Sequence, residues 1–212
     1  MFENILSITC DDALVYDLSS LEVINITEFK EYHGVHVSIM AYLDRTRVPV
    51  SIDIGFGDVI YPNRIKMEFP VLLDMDVPQV YAYSIYSVIS EKIEAIVSLG
   101  DANSRYKDFY DIYILAIRYQ LDGEELQEAI RETFEHRGTG LDDIAAFEEG
   151  FAVKEPHQTR WKAFLKKKKA MVDVGFEEVI DLMRTLLMLI IQSIGDGNVF
   201  GGNWNFEDNR WK

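Results

Sequence analysis

The chain has 212 residues, of which 48% are hydrophobic and 27% charged, and this composition excludes intrinsic disorder, collagen-like repeats and a coiled-coil rod. Thirty-six acidic residues against 21 lysines and arginines give a net charge of −15, which argues against a general attraction to nucleic acid. A single cysteine excludes a disulfide framework. The sequence shows no signal peptide, and its most apolar stretch, residues 182–194, is too short to cross a membrane. We therefore expect a cytoplasmic protein that does not enter the membrane.

The first third of the chain has the residue pattern of β-strands. Residues 13–16 and 21–26 are β-rich runs separated by a cluster of turn formers, and residues 35–43 and 48–54 alternate between apolar and polar positions. Pro49 lacks an amide donor and predicts an edge position or a strand start. We predict about four antiparallel strands, followed by an irregular stretch with three prolines.

The apolar period changes to that of helices from residue 88 onward. A first predicted helix ends at Gly100, and the next ones cover about residues 105–119, 123–135, 159–169 and 177–194. The tail from Gly195 is rich in glycine and asparagine but carries four large aromatic residues. Such a tail either docks its aromatic side chains on the protein or stays mobile.

Strands first and helices second predict an α+β architecture. We predict a β-rich core over residues 1–85, a helical region over 86–194 and an aromatic tail over 195–212.

Charge is unevenly distributed along the helical part. Residues 119–151 contain ten acids and two arginines, whereas residues 154–169 contain seven basic residues and one acid. A basic run of this kind is most often a solvated helix face, and the alternative is a local contact with phosphate.

Asp53 is the first residue that could carry chemistry. It lies on the polar side of a predicted strand, just before a Gly-Phe-Gly turn, where a carboxylate can act as a metal ligand or a general base. A polar residue on the solvated side of a sheet is the alternative.

Lys92 and residues 105–111 are the other candidates. Lys92 lies at the edge of an apolar helix stripe, where its ammonium can reach a phosphate or stay at the surface. Asp108 and Asp111 share a helix face, and Lys107 lies four residues before Asp111. Spacing alone favours helix capping and a surface ion pair. The competing interpretation is a general base with Arg105 and Lys107 binding a polyphosphate.

Three segments together resemble the AbiEii/AbiGii abortive-infection toxins, a family of the nucleotidyltransferase superfamily. They are SIDIGFGDVIYP at 51–62, YSVISEKIEAIVSLG at 86–100 and ANSRYKDFYDIYILA at 102–116, and the likeness extends over about residues 5–165. The resemblance implies a mixed sheet flanked by helices. It also implies Mg²⁺-dependent transfer of a nucleotide from an NTP to an acceptor, which is tRNA in some relatives.

The resemblance also assigns roles to individual residues. Asp53 matches a carboxylate of the metal site, and Lys92 matches the lysine that contacts the triphosphate. Arg105 and Lys107 match the basic pair before the last motif, and Asp108 matches the acid proposed as base or phosphate organiser. Asp111 is then a supporting acid.

One part of the family pattern is missing. Members carry a glycine-rich turn followed by an Asp-x-Asp strand, whereas Asp11 and Asp12 are adjacent and would point to opposite faces of a strand. We therefore expect a truncated nucleotidyltransferase-like fold with an incomplete metal site, since two-metal chemistry needs several carboxylates. The alternative function is a non-catalytic binding module that contacts an antitoxin-like protein, a nucleotide or a second copy of the chain.

Overall fold

The computed structural model describes residues 1–10, 12–26, 33–168 and 171–212. Asp11 lies outside the described residues, and so does Lys169, the last residue of the basic run 154–169 and of the predicted helix 159–169. Contacts within the chain separate a strand unit, Met1–Asp58, from a helical unit, Val59–Lys212. In the described ranges, none of the helices combines the length and apolar character that a membrane crossing demands.

The strand unit consists of a short helix and a three-stranded antiparallel sheet in the order β1-β2-β3. Its elements are α1 (Phe2–Leu6), β1 (Leu14–Ile26), β2 (His33–Leu43) and β3 (Thr46–Phe56). Val37, Ile39 and Ala41 of β2 are buried and lie opposite apolar residues of β3. The predicted alternation is confirmed, and Pro49 lies on β3, an edge strand of the described sheet.

The prediction of two short strands before residue 27 was wrong. Residues 14–26 form one strand whose pairing with β2 shifts between Asp17 and Glu22. Asp17 accepts hydrogen bonds from the amide and the hydroxyl of Ser19, and the Ser20 hydroxyl donates to the Asp17 carbonyl. These local bonds satisfy the polar groups of a bulge, so the turn-forming residues do not end the strand.

The stretch predicted to be irregular contains a small hairpin. Strands β4 (Ile65–Glu68) and β5 (Gln79–Ala82) pair in antiparallel fashion. They are only four residues long and no side chain in them is buried. Ile65 and Met67 of β4 alternate with Lys66 and Glu68, but a run of four residues is too short to be told from a loop by pattern alone.

Five helices make up most of the helical unit, and together with the antiparallel sheets they confirm the α+β class. They are α2 (Ile85–Leu99), α3 (Tyr106–Ala116), α4 (Gly123–Arg137), α5 (Glu155–Lys168) and α6 (Phe176–Gly195). The Ser84 side chain accepts from the Ser87 amide and caps α2. Gly100, at φ 53°, ends the helix as predicted.

The core of the helical unit lies between these helices. Each helix contributes large apolar residues to it at helical spacing, and several of them have no exposed surface. These are Ile89 and Ile93 of α2, Ile112 of α3, Leu126 and Ile130 of α4, and Met183, Leu187 and Ile190 of α6. Packing of the α2 stripe against α3 and α4 fixes the side of α2 that faces the protein.

The aromatic tail docks on the helical unit. Strands β7 (Asn203–Asn205) and β8 (Arg210–Trp211) form a small sheet with β6 (Leu121–Asp122). Trp204 is completely buried, and its indole N–H donates to the carbonyl of Ala116 at 2.8 Å. Of the two alternatives open from the sequence, docking is therefore the one observed. A Cβ on Gly123 would come within 2.6 Å of the Gly202 carbonyl, so this position requires glycine.

Candidate active site

Two consecutive helices bring three ionised side chains together. The Lys92 ammonium on α2 lies 2.9 Å from Oδ1 of Asp108 and 2.7 Å from Oδ2 of Asp111, both on α3. Only 18% of the Lys92 side chain and 5% of the Asp108 side chain are exposed. Lys92 is thus part of a largely buried ion pair, and the alternative of an isolated surface lysine is wrong.

Two more cations flank these carboxylates. The Nε of Arg105 lies 2.9 Å from Oδ2 of Asp108, and the Lys107 ammonium pairs with Asp111. Spacing alone predicts the Lys107–Asp111 pair. It does not predict the contact of buried Asp108 with Lys92 of α2. We refer to Lys92, Arg105, Lys107, Asp108 and Asp111 as the ion-pair cluster. Its three cations and two carboxylates leave one net positive charge.

Asp108 has an oxygen that is free to accept a further hydrogen bond. Its Oδ1 accepts from Lys92, but its Oδ2 is buried and has no hydrogen-bond donor in the described part of the chain. The Arg105 Nε is within ion-pair distance of this oxygen without the alignment of a hydrogen bond. A buried acceptor without a donor is uncommon in folded proteins and is often completed by water or a ligand.

The two carboxylates keep Lys92 charged. Burial of the ammonium lowers its pKa, but hydrogen bonds to Asp111 and Asp108 and their negative charges outweigh burial and raise the pKa above 10.5. Because the pKa is higher in the folded state, this ion pair stabilises the protein throughout the neutral range. The contribution is lost only as the pH rises above the ordinary lysine value.

Asn103 supports the start of α3 and was missed from the sequence. Its side chain is buried, and its Oδ1 accepts a hydrogen bond from the backbone N–H of Arg105 at 2.7 Å. The backbone N–H of Asn103 donates to the carbonyl of Gly100. The Nδ2 of Asn103 is also buried without a partner among the described residues. Asparagine two residues before a helix cap is a recognisable turn signal, so the position could have been found.

His157 of α5 supports the same end of α3 and was also missed. It is buried, its Nδ1 is 2.8 Å from the Tyr106 hydroxyl, and its ring lies 4.2 Å from that of Phe151. Burial lowers the pKa of His157 below 6.5, although Asp101 acts in the opposite direction. The unfolded chain therefore binds a proton more readily at this residue than the folded protein does.

We expect this histidine to make the protein less stable as the pH falls through 6.5. The free energy of unfolding should decrease between about pH 7.5 and about pH 5.5 by more in the wild type than in His157→Gln. Urea unfolding followed by tryptophan fluorescence measures the difference. His136→Gln, the same exchange at an exposed position, is the control, and an equal pH dependence in wild type and His157→Gln would contradict the prediction.

Asp53 lies in the strand unit. It occupies the polar side of β3 as predicted, 73% of its side chain is exposed, and its Oδ1 lies 2.5 Å from Nδ1 of His36 on β2. The described residues contain no group of three or more metal-ligating side chains. Mg²⁺ prefers oxygen ligands, and Asp53 supplies the carboxylate of this pair. The described residues therefore do not form a complete metal site.

Comparison with known proteins identifies the family. The model of the nucleotidyl transferase AbiEii toxins of type IV toxin–antitoxin systems matches residues 3–181, which is more than four-fifths of the chain. No curated protein and no solved structure matches the chain. The match includes the strand that carries Asp53 and both helices of the ion-pair cluster, and it connects the chain with nucleotidyl transfer and with a toxin–antitoxin pair. The chain therefore belongs to the AbiEii family of nucleotidyl transferase toxins.

Proposed function

We propose that the protein transfers a nucleotide from an NTP to a hydroxyl group of an RNA acceptor at the ion-pair cluster. The observation that supports this most is the buried contact of Lys92 with Asp108, in which one helix supplies a phosphate-binding cation and the next a carboxylate. Family membership supplies the reaction class.

The cations of the cluster would bind the triphosphate. Arg105 and Lys107 expose 57% and 62% of their side chains, so both can reach a ligand in solvent. The ion-pair cluster carries one net positive charge, which attracts a negatively charged triphosphate. Lys92 can exchange one carboxylate partner for a phosphate oxygen while it keeps the other. Partial burial strengthens these contacts relative to fully exposed ones.

Asp108 would receive the proton of the acceptor. The hydroxyl oxygen attacks the α-phosphorus, a new P–O bond forms, and the bond to the bridging oxygen breaks as pyrophosphate leaves. The hydroxyl proton passes to Oδ2 of Asp108, the buried oxygen without a hydrogen-bond donor. General-base assistance of this kind contributes about 10²–10⁴-fold to the rate.

Mg²⁺ and its binding by Asp53 remain proposals. Mg²⁺ prefers oxygen ligands such as carboxylates, and Asp53 offers one exposed carboxylate. Titration calorimetry with Mg²⁺ and NTP tests this assignment, because Asp53→Ala should remove the Mg²⁺-dependent part of the heat. A heat unchanged by Asp53→Ala would refute it.

Label transfer tests the proposed function. The protein is incubated with Mg²⁺, each α-labelled NTP in turn and total RNA, and we expect label to enter RNA. Lys92→Ala should lower this transfer by about 10²-fold or more, whereas Lys66→Ala, at an exposed position of β4, should not. Transfer that survives Lys92→Ala would refute the assigned site. NTP binding without transfer to any RNA would favour the non-catalytic module.

A further inference from the structure

The last two turns of α5 carry positive charge that the proposed reaction does not use. Four lysines in its last two turns are exposed: Lys162, Lys166, Lys167 and Lys168. None of them has an ion-pair partner within the described residues. We refer to these four residues as the lysine cluster.

Ordinary features of a helix account for only part of this arrangement. Positive charge in the last turn favours the helix dipole, but Lys162 lies more than a turn earlier. Lys162 and Lys166 are four residues apart, where like charges repel each other. Glu155 is the one acid in α5 and is too far along the helix to pair with them. The helix dipole thus favours Lys166, Lys167 and Lys168, whereas Lys162 gains nothing from it and is repelled by Lys166.

The lysine cluster belongs to a helix that packs next to the candidate site. Trp161 and Phe164 of α5 contact the ring of Tyr110 on α3, at centroid distances of 6.2 and 5.7 Å. Lys107 follows Tyr106, and Asp111 follows Tyr110. Successive residues of a helix are about 100° apart, so each of these charged residues lies about 100° around the helix axis from the tyrosine before it. The stripe of α3 that contacts α5 is thus next to the stripe that carries part of the ion-pair cluster.

We propose that the lysine cluster binds the phosphate backbone of the RNA acceptor, an inference that rests on the proposed function. A protein of net charge −15 repels a polyanion over most of its surface, so an RNA chain needs a local positive surface beside the reaction site. Lysines are flexible point charges that contact backbone phosphates without reading bases. The interaction is therefore independent of sequence and sensitive to salt.

Fluorescence anisotropy tests this proposal with a short 5′-fluorescein-labelled RNA hairpin that has a single-stranded 3′ end. Binding is measured without NTP and Mg²⁺, so that it does not depend on the reaction. The lysine-cluster variant, K162Q/K166Q/K167Q/K168Q, removes the four charges of the lysine cluster. The control variant, R45Q/R47Q/K66Q/R118Q, removes the same amount of charge at exposed positions elsewhere. Circular dichroism confirms that both variants are folded.

We expect the lysine-cluster variant to bind the hairpin at least about tenfold more weakly than the control variant at ~0.1 M salt. The slope of log K against log salt should fall by about three, because each single-strand phosphate contact contributes about 0.7. Equal weakening in both variants, or none in either, would overturn the proposal. Sedimentation velocity of the protein without RNA gives a second way to overturn it. If the wild type self-associates and the lysine-cluster variant does not, the lysine cluster binds the acidic surface of a second copy and not RNA.

The two proposals fail in different ways. If RNA binding depends on the lysine cluster but no label is transferred, the proposed function is refuted and this inference stands. If label is transferred but RNA binding does not depend on the lysine cluster, this inference is refuted and the proposed function stands.

Discussion

We expect Asp108→Asn to lower the rate of nucleotidyl transfer by about 10²–10⁴-fold, because an amide cannot take the proton of the acceptor hydroxyl. Asn has the shape of Asp, and Lys92 keeps its contact with Asp111, so the variant should fold. Single-turnover label transfer with saturating NTP measures the loss directly. RNA binding in the anisotropy experiment should stay as in the wild type.

Asp142→Asn is the matched control for this substitution. Asp142 is exposed and lies in a loop after α4, outside the ion-pair cluster, so the same chemical exchange there should leave the rate unchanged. If Asp108→Asn retains activity within about twofold of the wild type, which is small beside the 10²-fold typical of a lost general base, another group accepts the proton.

The second large effect concerns the tail. Trp204→Ala should reduce the free energy of unfolding by about 3–5 kcal/mol, because it removes a completely buried indole and leaves a cavity. It also deprives the buried Ala116 carbonyl of its donor. All three tryptophans, Trp161, Trp204 and Trp211, lie in the helical unit. Urea unfolding followed by the fluorescence of the remaining two therefore reports the stability of this unit.

Val199→Ala is the control within the same tail. Its side chain is 73% exposed, and a surface exchange of this kind changes stability by less than about 0.5 kcal/mol. A loss below about 1 kcal/mol for Trp204→Ala would be far from the usual range for buried tryptophan and would show that the tail contributes little to the core.

Local patterns predicted the five long helices, but not the short helix α1, and they placed the start of α5 at residue 159 instead of Glu155. Gly100 ends α2, and the apolar period of α6 predicts its extent to within one residue at each end. The hairpin β4–β5 could not be predicted, because it is held by backbone pairing between strands without buried side chains. The bulge in β1 could not be predicted either, since Asp17 and Ser19 form the same local bonds in a turn as within a strand.

The amino-acid sequence by itself determined the fold class, the end of α2 at Gly100 and the extent of α6. Lys107 and Asp111 could be paired from spacing, because both lie on one helix. Only the tertiary structure decided that Lys92 meets Asp108 and that Trp204 enters the core. These contacts join segments far apart in the chain, and they depend on how α2, α3 and the tail bury their apolar sides together. Spacing within one segment contains no information about that packing.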